Sequence, residues 1–136
     1  MGSPNSGPFS YISGSLQLYT EALNFASGSS KLVRSDHANS KSDFYSVINK
    51  MEPSIKSQAL RFMKKTSSSY KNFKYDIYEN GLHTISAIKP GNVPGSYAEY
   101  VKIMYEDGTI RAMYKDTYVS EGTRLHRHIK WPMKEV

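Results

Sequence analysis

Three short glycine turns punctuate the second half of the chain: Asn80-Gly81, Asp107-Gly108 and Glu121-Gly122. Each stands between segments whose apolar and polar residues alternate. Period-two alternation marks a half-buried strand, because successive side chains point to opposite faces. An Asn-Gly or Asp-Gly pair between two such segments is the strongest short-range hairpin signal. A chain turned back three times in this way has few options. "FKYDIYENGLHTISAI", "YAEYVKIMYEDGTIRAMYKDTY" and "VSEGTRLHRHIKW" are expected to form an antiparallel meander of about five strands over 73–131. The turn-rich loop "KPGNVPGS" (89–96) joins the hairpins.

Upstream the period changes to that of a helix. Leu16, Tyr19, Leu23 and Phe25 are spaced for a helix over 15–26. Phe44, Val47, Ile48 and Met51 follow a cap candidate at Ser42 or Asp43. Ile55, Ala59, Phe62 and Met63 follow Pro53, a residue tolerated in a first helical turn. Residues 43–65 therefore read as one kinked helix or two in series. "SGSSKLVRSDHANSKS" (27–42) reads as a loop, and residues 1–14, rich in Ser, Gly and Pro, as a flexible N-terminal segment. Helices first and strands afterwards predict an α+β fold, with N-terminal helices packed on one face of the meander. The 136 residues suffice for one domain, expected over 15–136.

Composition then excludes several chemistries. The chain has no cysteine, so disulfides, a thiol nucleophile and Cys-ligated metal are absent. No apolar run approaches the roughly 20 residues that span a bilayer, and the opening "MGSPNSGPFS" lacks the charge and apolar stretch of a signal peptide. Eighteen basic against 12 acidic residues give a net charge of +6, which favours a polyanionic or strongly acidic partner.

Register follows from the turns, because loop length fixes pairing. With Asp107-Gly108 as a two-residue loop, Ile103 opposes Ala112, Lys102 opposes Met113 and Tyr100 opposes Lys115. With Glu121-Gly122 likewise, Thr117 opposes His126, Asp116 opposes Arg127 and Lys115 opposes His128. One face then carries Val101, Ile103, Tyr105, Ile110, Ala112, Tyr114, Tyr118, Leu125, Ile129 and Trp131, and is expected to meet the helices. Asp116 and Arg127 pair at its margin. The other, open face carries Tyr100, Lys102, Met104, Arg111, Met113, Lys115, Thr117, His126, His128 and Lys130. Lys130 falls opposite Met113. In the first hairpin, Phe73, Tyr75, Ile77, Leu82 and Ile88 turn inward, and His83 turns outward toward the open face.

That open face holds imidazoles, ammonium groups, a hydroxyl and almost no carboxylate. An H-x-H pair can chelate, but zinc requires a third protein ligand, and the surrounding lysines repel a cation; no metal or other cofactor is expected. Metal-free RNA cleavage needs a base for the 2′-hydroxyl, an acid for the leaving oxygen and cations for the phosphate. Imidazoles transfer protons near neutral pH. His126, His128, Lys102, Lys115 and Thr117 are therefore the candidate catalytic residues, and Arg111, Tyr100, Lys130 and His83 the candidate substrate-binding residues. A solvated basic sheet face that binds without cleaving accounts for the same pattern.

"KPGNVPGSYAEYVKIMYEDGTIRAMYKDTYVSEGTRLHRHIKWP" resembles the C-terminal toxin domains of bacterial polymorphic toxins, including LXG-type and contact-dependent inhibition effectors. The resemblance lies in the P-G-x-V-P-G-S loop, Y-x-x-Y-x-K, the D-G turn, Y-K-D-T-Y and a His-containing last strand, over about a third of the chain. It implies a fold like the barnase/EndoU/colicin E5/RelE group of metal-independent RNases. Lys102 matches the first motif's lysine, Lys115 and Thr117 match K-D-T, and His126 matches the last-strand histidine. It also implies a secreted or delivered monomer acting in a target-cell cytoplasm on tRNA or rRNA, held in check by a cognate acidic immunity protein. The alternatives are a non-catalytic module binding nucleic acid or an acidic protein, and a metal-dependent DNase toxin.

Overall fold

A computed structural model describes residues 30–131. The helix expected over 15–26 and the segment 1–14 lie outside the described residues. Eight elements follow in order: β1 (Leu32–Ala38), α1 (Lys41–Ile48), α2 (Pro53–Lys64), β2 (Lys71–Tyr78), β3 (His83–Pro90), β4 (Tyr97–Met104), β5 (Ile110–Tyr118) and β6 (Arg124–Trp131). The strands form one antiparallel sheet in sequential order, β1 to β6. The fold is α+β as expected. Its sixth strand is β1, which lies within the segment read as a loop. "LVRSDHA" is mostly exposed and carries no clean alternation. What makes it a strand is pairing with β2, sealed by Ser35 Oγ donating to Asp76 Oδ1 at 2.5 Å.

The two helices are separate. Ser40, rather than Ser42 or Asp43, caps α1: its Oγ accepts the Asp43 N–H at 3.1 Å. Pro53 occupies the first turn of α2, where its missing N–H costs nothing. Both apolar stripes are buried as their spacing predicts, Phe44 and Ile48 on α1 and Ile55, Ala59, Phe62 and Met63 on α2. They pack on Phe73, Tyr75, Ile85, Ala87 and Met104, with Phe44 stacked 5.3 Å from Phe73.

The helices therefore cover the face of Tyr100, Lys102 and Met104, opposite to expectation. The reason lies in the first turn. Tyr78 N–H bonds the Leu82 carbonyl and Gly81 N–H bonds the Tyr78 carbonyl, which makes a three-residue loop of Glu79, Asn80 and Gly81. Gly81 sits at φ 88°, the left-handed position such a turn requires. The extra residue pairs Ile77 with His83 and Tyr75 with Ile85, so β3 is turned over relative to the expected register. Leu82 and Ile88 leave the helix side, and His83 joins it.

The other two hairpins use the same three-residue loop, closed by Gly108 and Gly122. There, however, a bulge follows the turn. Irregularities between Ile103 and Met104 and between Thr117 and Tyr118 place Arg111 and Leu125 outside the regular pairing. Each bulge cancels the extra loop residue. Lys102↔Met113, Tyr100↔Lys115, Thr117↔His126 and Lys115↔His128 are consequently paired as derived from the turns. One further irregularity, between Met113 and Tyr114, sets Trp131 rather than Lys130 against Met113.

The face expected to meet the helices holds instead a second, smaller cluster of Leu82, Val101, Ile103, Ala112 and Tyr114, with Ile129 against it. Tyr105, Leu125 and Trp131 are exposed rather than buried. Leu125 is lifted out by its bulge. Trp131 lies on the outermost strand, where its Nε1 donates to the Ile110 carbonyl at 3.2 Å. Ile110 pairs with Met104, which puts it on the helix side.

The second turn also fixes where α2 lies. A Cβ on Gly108, which has φ 88°, would meet the Ser54 carbonyl oxygen at 2.8 Å. Gly108→Ala is expected to destabilise the fold by about 2 kcal/mol, from combined φ strain and steric conflict. Urea unfolding with an unchanged m-value checks this; a loss below about 0.5 kcal/mol would show that the turn does not hold the helix.

Candidate functional site

The helix layer ends over β4. β5 and β6 extend past it on the same face, and the step between α2 and the bare strands is a cleft of about 650 Å³. Its wall is the second half of α2 and the residues after it: Gln58, Arg61, Phe62, Lys64, Lys65 and Thr66. Its floor includes Tyr70, Tyr100, Lys102, Ile110, Met113 and Lys130. No described Asp or Glu lines it.

Tyr100 is the centre of this arrangement. Lys115 Nζ lies 5.7 Å and Lys130 Nζ 5.1 Å from its ring centroid, both within cation–π range. Tyr70 packs against it with centroids 5.3 Å apart, and Lys89 Nζ stands 5.9 Å from the Tyr70 ring. Burial, and then the hydrogen bond to Tyr100, push the Tyr70 hydroxyl up to about 12. Two phenol rings, Tyr100 beside two ammonium groups and Tyr70 beside one, form a stacking surface inside a positive field.

Lys102 is 4 % exposed at the cleft floor and donates to the Gln58 carbonyl at 3.2 Å. Burial first, and then the Lys65 and Arg61 charges, lower its pKa to about 8. It is thus a weakly held proton among fixed cations. His126 and His128 are both exposed on β6, with ring centroids 6.5 Å apart. His126 opposes Thr117, and His128 opposes Lys115, which itself reaches over Tyr100. Directly opposed side chains stand roughly 4.5–5.5 Å apart at Cβ, within the span of one phosphate.

The structure thus gathers Lys102, Lys115, Thr117, His126, His128, Tyr100 and Lys130 on one side of three adjacent strands. Of these, Tyr100, Lys102 and Lys130 line the cleft; Lys115, Thr117, His126 and His128 lie on the same side of the sheet outside its lining, and Arg111, the extra residue of the β5 bulge, is outside it too. His83 shares the sheet face but lies three strands from β6 and is 7 % exposed. Its Nδ1 and the Tyr75 hydroxyl are hydrogen-bonded at 2.6 Å, and burial lowers its pKa. It is a core histidine. Sequence reasoning missed Gln58, Arg61, Lys64, Lys65 and Tyr70. "RFMKK" ends a helix, where basic residues ordinarily complement the helix dipole, so its cations carry no distinguishing signal.

Acids collect on the opposite face. Asp116, fully buried, takes two bonds from Arg127, at 2.7 and 2.6 Å, and lies 3.8 Å from Arg124. The Arg127 guanidinium also stacks 4.2 Å from the Tyr114 centroid. Glu99 is paired directly across from Asp116 and is 1 % exposed. Burial raises its pKa to about 8; Lys74 opposes the rise and Asp116 adds to it. Glu99 thus keeps its proton near neutral pH beside the arginine-bound Asp116. Among the described residues, no three His, Asp or Glu side chains gather as a metal site, and no helix is long and apolar enough to cross a membrane. Comparison with protein-family models, curated proteins and solved structures returns no match.

Glu99 generates a pH prediction. The folded state holds its proton to higher pH than the unfolded chain does. Stability from this group is complete below the unfolded value of about 4.3 and is lost progressively as pH rises from there through about 8. Glu99→Gln is expected to flatten the decline and to exceed wild type in urea midpoint at pH 8 but not at pH 4. Parallel pH profiles for the two proteins would show that Glu99 ionises normally.

Proposed function

We propose that the chain is a metal-independent endoribonuclease, the toxin domain of a secreted or delivered bacterial effector. The supporting observation is Tyr100, set between Lys115, Lys130 and Tyr70 in a cleft with no described carboxylate, with two imidazoles on the outermost strand. An RNA strand lies across β4–β6 with its phosphates on Lys115, Lys130 and the α2 cations. A base stacks on Tyr100, as bases stack on aromatic platforms in single-strand binders. The 2′-hydroxyl attacks phosphorus, one imidazole of the His126/His128 pair removes its proton, and the other protonates the departing 5′-oxygen. Lys115 stabilises the charge developing on phosphorus, and Thr117 orients the phosphate through its hydroxyl. The products are a 2′,3′-cyclic phosphate and a 5′-hydroxyl. The same positive surface fits a cognate acidic immunity protein, which would cover the cleft.

Purified protein is expected to degrade total RNA in EDTA. His126→Ala is expected to reduce the rate at least about 100-fold, in line with loss of a general acid or base, with unchanged thermal melting. Binding of RNA with a steep salt dependence and no cleavage would instead establish a binding module. Digestion of plasmid DNA only with added Mg²⁺ would establish a DNase.

A further inference from the structure

β5 carries an asymmetry that the described helices do not explain. On the cleft side of this strand Met113, Lys115 and Thr117 are half-exposed, while Ala112, Tyr114, Asp116 and Tyr118, which face the other way, are buried. Yet α1 and α2 both pack on the cleft side of the sheet. The burial continues across the strands. Asp76, Thr84, Ile103 and Ala112 are successive cross-strand partners from β2 to β5, and none is more than 5 % exposed. Neighbours on the same sheet stand beside a side chain and leave its tip open, so closing a row of four needs a layer above it. No described helix supplies that layer.

We propose that residues 15–26 of this chain dock across this face, with Leu16, Tyr19 and Leu23 set on Leu82, Ile103 and Ala112. Leu16, Tyr19 and Leu23 fall on one side of a helical period and Gln17, Thr20, Glu21 and Asn24 on the other, so the segment has one side to bury. Its point of entry is fixed. Ser30 Oγ accepts the Asn80 N–H at 3.0 Å, and the Lys31 carbonyl accepts the Glu79 N–H at 2.8 Å. Both bonds tie the chain to the first turn, immediately before Leu82 of the buried cluster. The lengths match. The 12 residues measure about 18 Å as a helix, and β2 to β5 span three strand spacings, about 14 Å. The five residues after Trp131 reach about 17 Å at full extension, whereas β2 lies four spacings, about 19 Å, from β6. Residues 1–29 contain no Lys or Arg and one acid, Glu21. The segment therefore brings almost no charge to a face whose Asp116 and Arg127 already pair. Docked there, it backs the strand that carries Lys115 and Thr117 and belongs to the same folding unit as the cleft, on the opposite side of the sheet from α1 and α2.

The chain has no cysteine, so one introduced thiol takes a nitroxide label without competition. Gln17→Cys in the full chain puts the label on the polar side of the segment, and Asn24→Cys gives a second position. The methyl NMR signals of Leu82, Ile103 and Ala112 are expected to lose most of their intensity and to regain it when ascorbate reduces the label. Ile55 and Ala59, on α2, are expected to keep theirs, because each packed layer adds about 10 Å. Broadening of Ile55 and Ala59 instead places the segment with the other helices. No broadening at either label position leaves the segment off the sheet. Loss seen only in an isotope-enriched, unlabelled chain mixed with labelled chains assigns the cover to a second copy. Each of these three results overturns the proposal, and none depends on whether the cleft cleaves RNA.

Discussion

The open basic face exists because two short helices cannot cover six strands. α1 and α2 bury their stripes over Phe73, Tyr75, Ile85, Ala87 and Met104, and there the buried apolar cluster of that face ends. Past β4 the same side of the sheet carries Lys115, Thr117, His126 and His128, with Lys130 reaching in from the end of β6. A layer edge of this kind makes a concave step with a rigid floor and a helical wall, where polar side chains are half-shielded from water. Partial shielding explains why Lys102, beneath α2, loses affinity for its proton while the imidazoles further out on β6 stay exposed.

The sheet separates charge by face. Asp76, Glu99 and Asp116 alternate with residues of the helix side and so all point away from it. Asp116 is paired with Arg127, and Glu99 retains its proton. Burying these acids costs desolvation energy that their own pairing offsets only in part. The consequence for the cleft is a positive potential with no described carboxylate in its lining, a condition under which cations attract phosphate most strongly. A face carrying Asp116 beside Lys115 would instead have satisfied its own charge.

The helices and most of the pairing were legible in the sequence, because periodicity and turn residues are local signals. All four α2 stripe residues are buried as read, and the pairs that Lys102, Lys115 and Thr117 make across the sheet match. The sidedness of the sheet was not legible, since it depends on a count of one. The three loops open on Glu79, Glu106 and Ser120, and none of these residues announces whether a glycine turn holds two residues or three. Bulges at Arg111 and Leu125 restored parity in two hairpins, and the first had none beside its turn. β1 was hidden for a different reason: an edge strand exposed on both sides leaves no alternation to read.

The same parity explains why His83 and His126 could not be told apart from their spacing alone. Both fall on the helix side of the sheet, yet one is a core residue bonded to Tyr75 and the other is exposed. What separates them is distance along the sheet from the helix layer, a property of strand order. On β6, the outermost strand, an imidazole retains the solvent access that proton exchange requires, while its cross-strand neighbour on β5 supplies the ordered cation or hydroxyl. A histidine on β4, beneath α2 as Lys102 is, would gain rigidity under the helix and lose the water that returns its proton. The edge position of His126 and His128 thus suits the chemistry proposed for them as much as it follows from the fold that places them there.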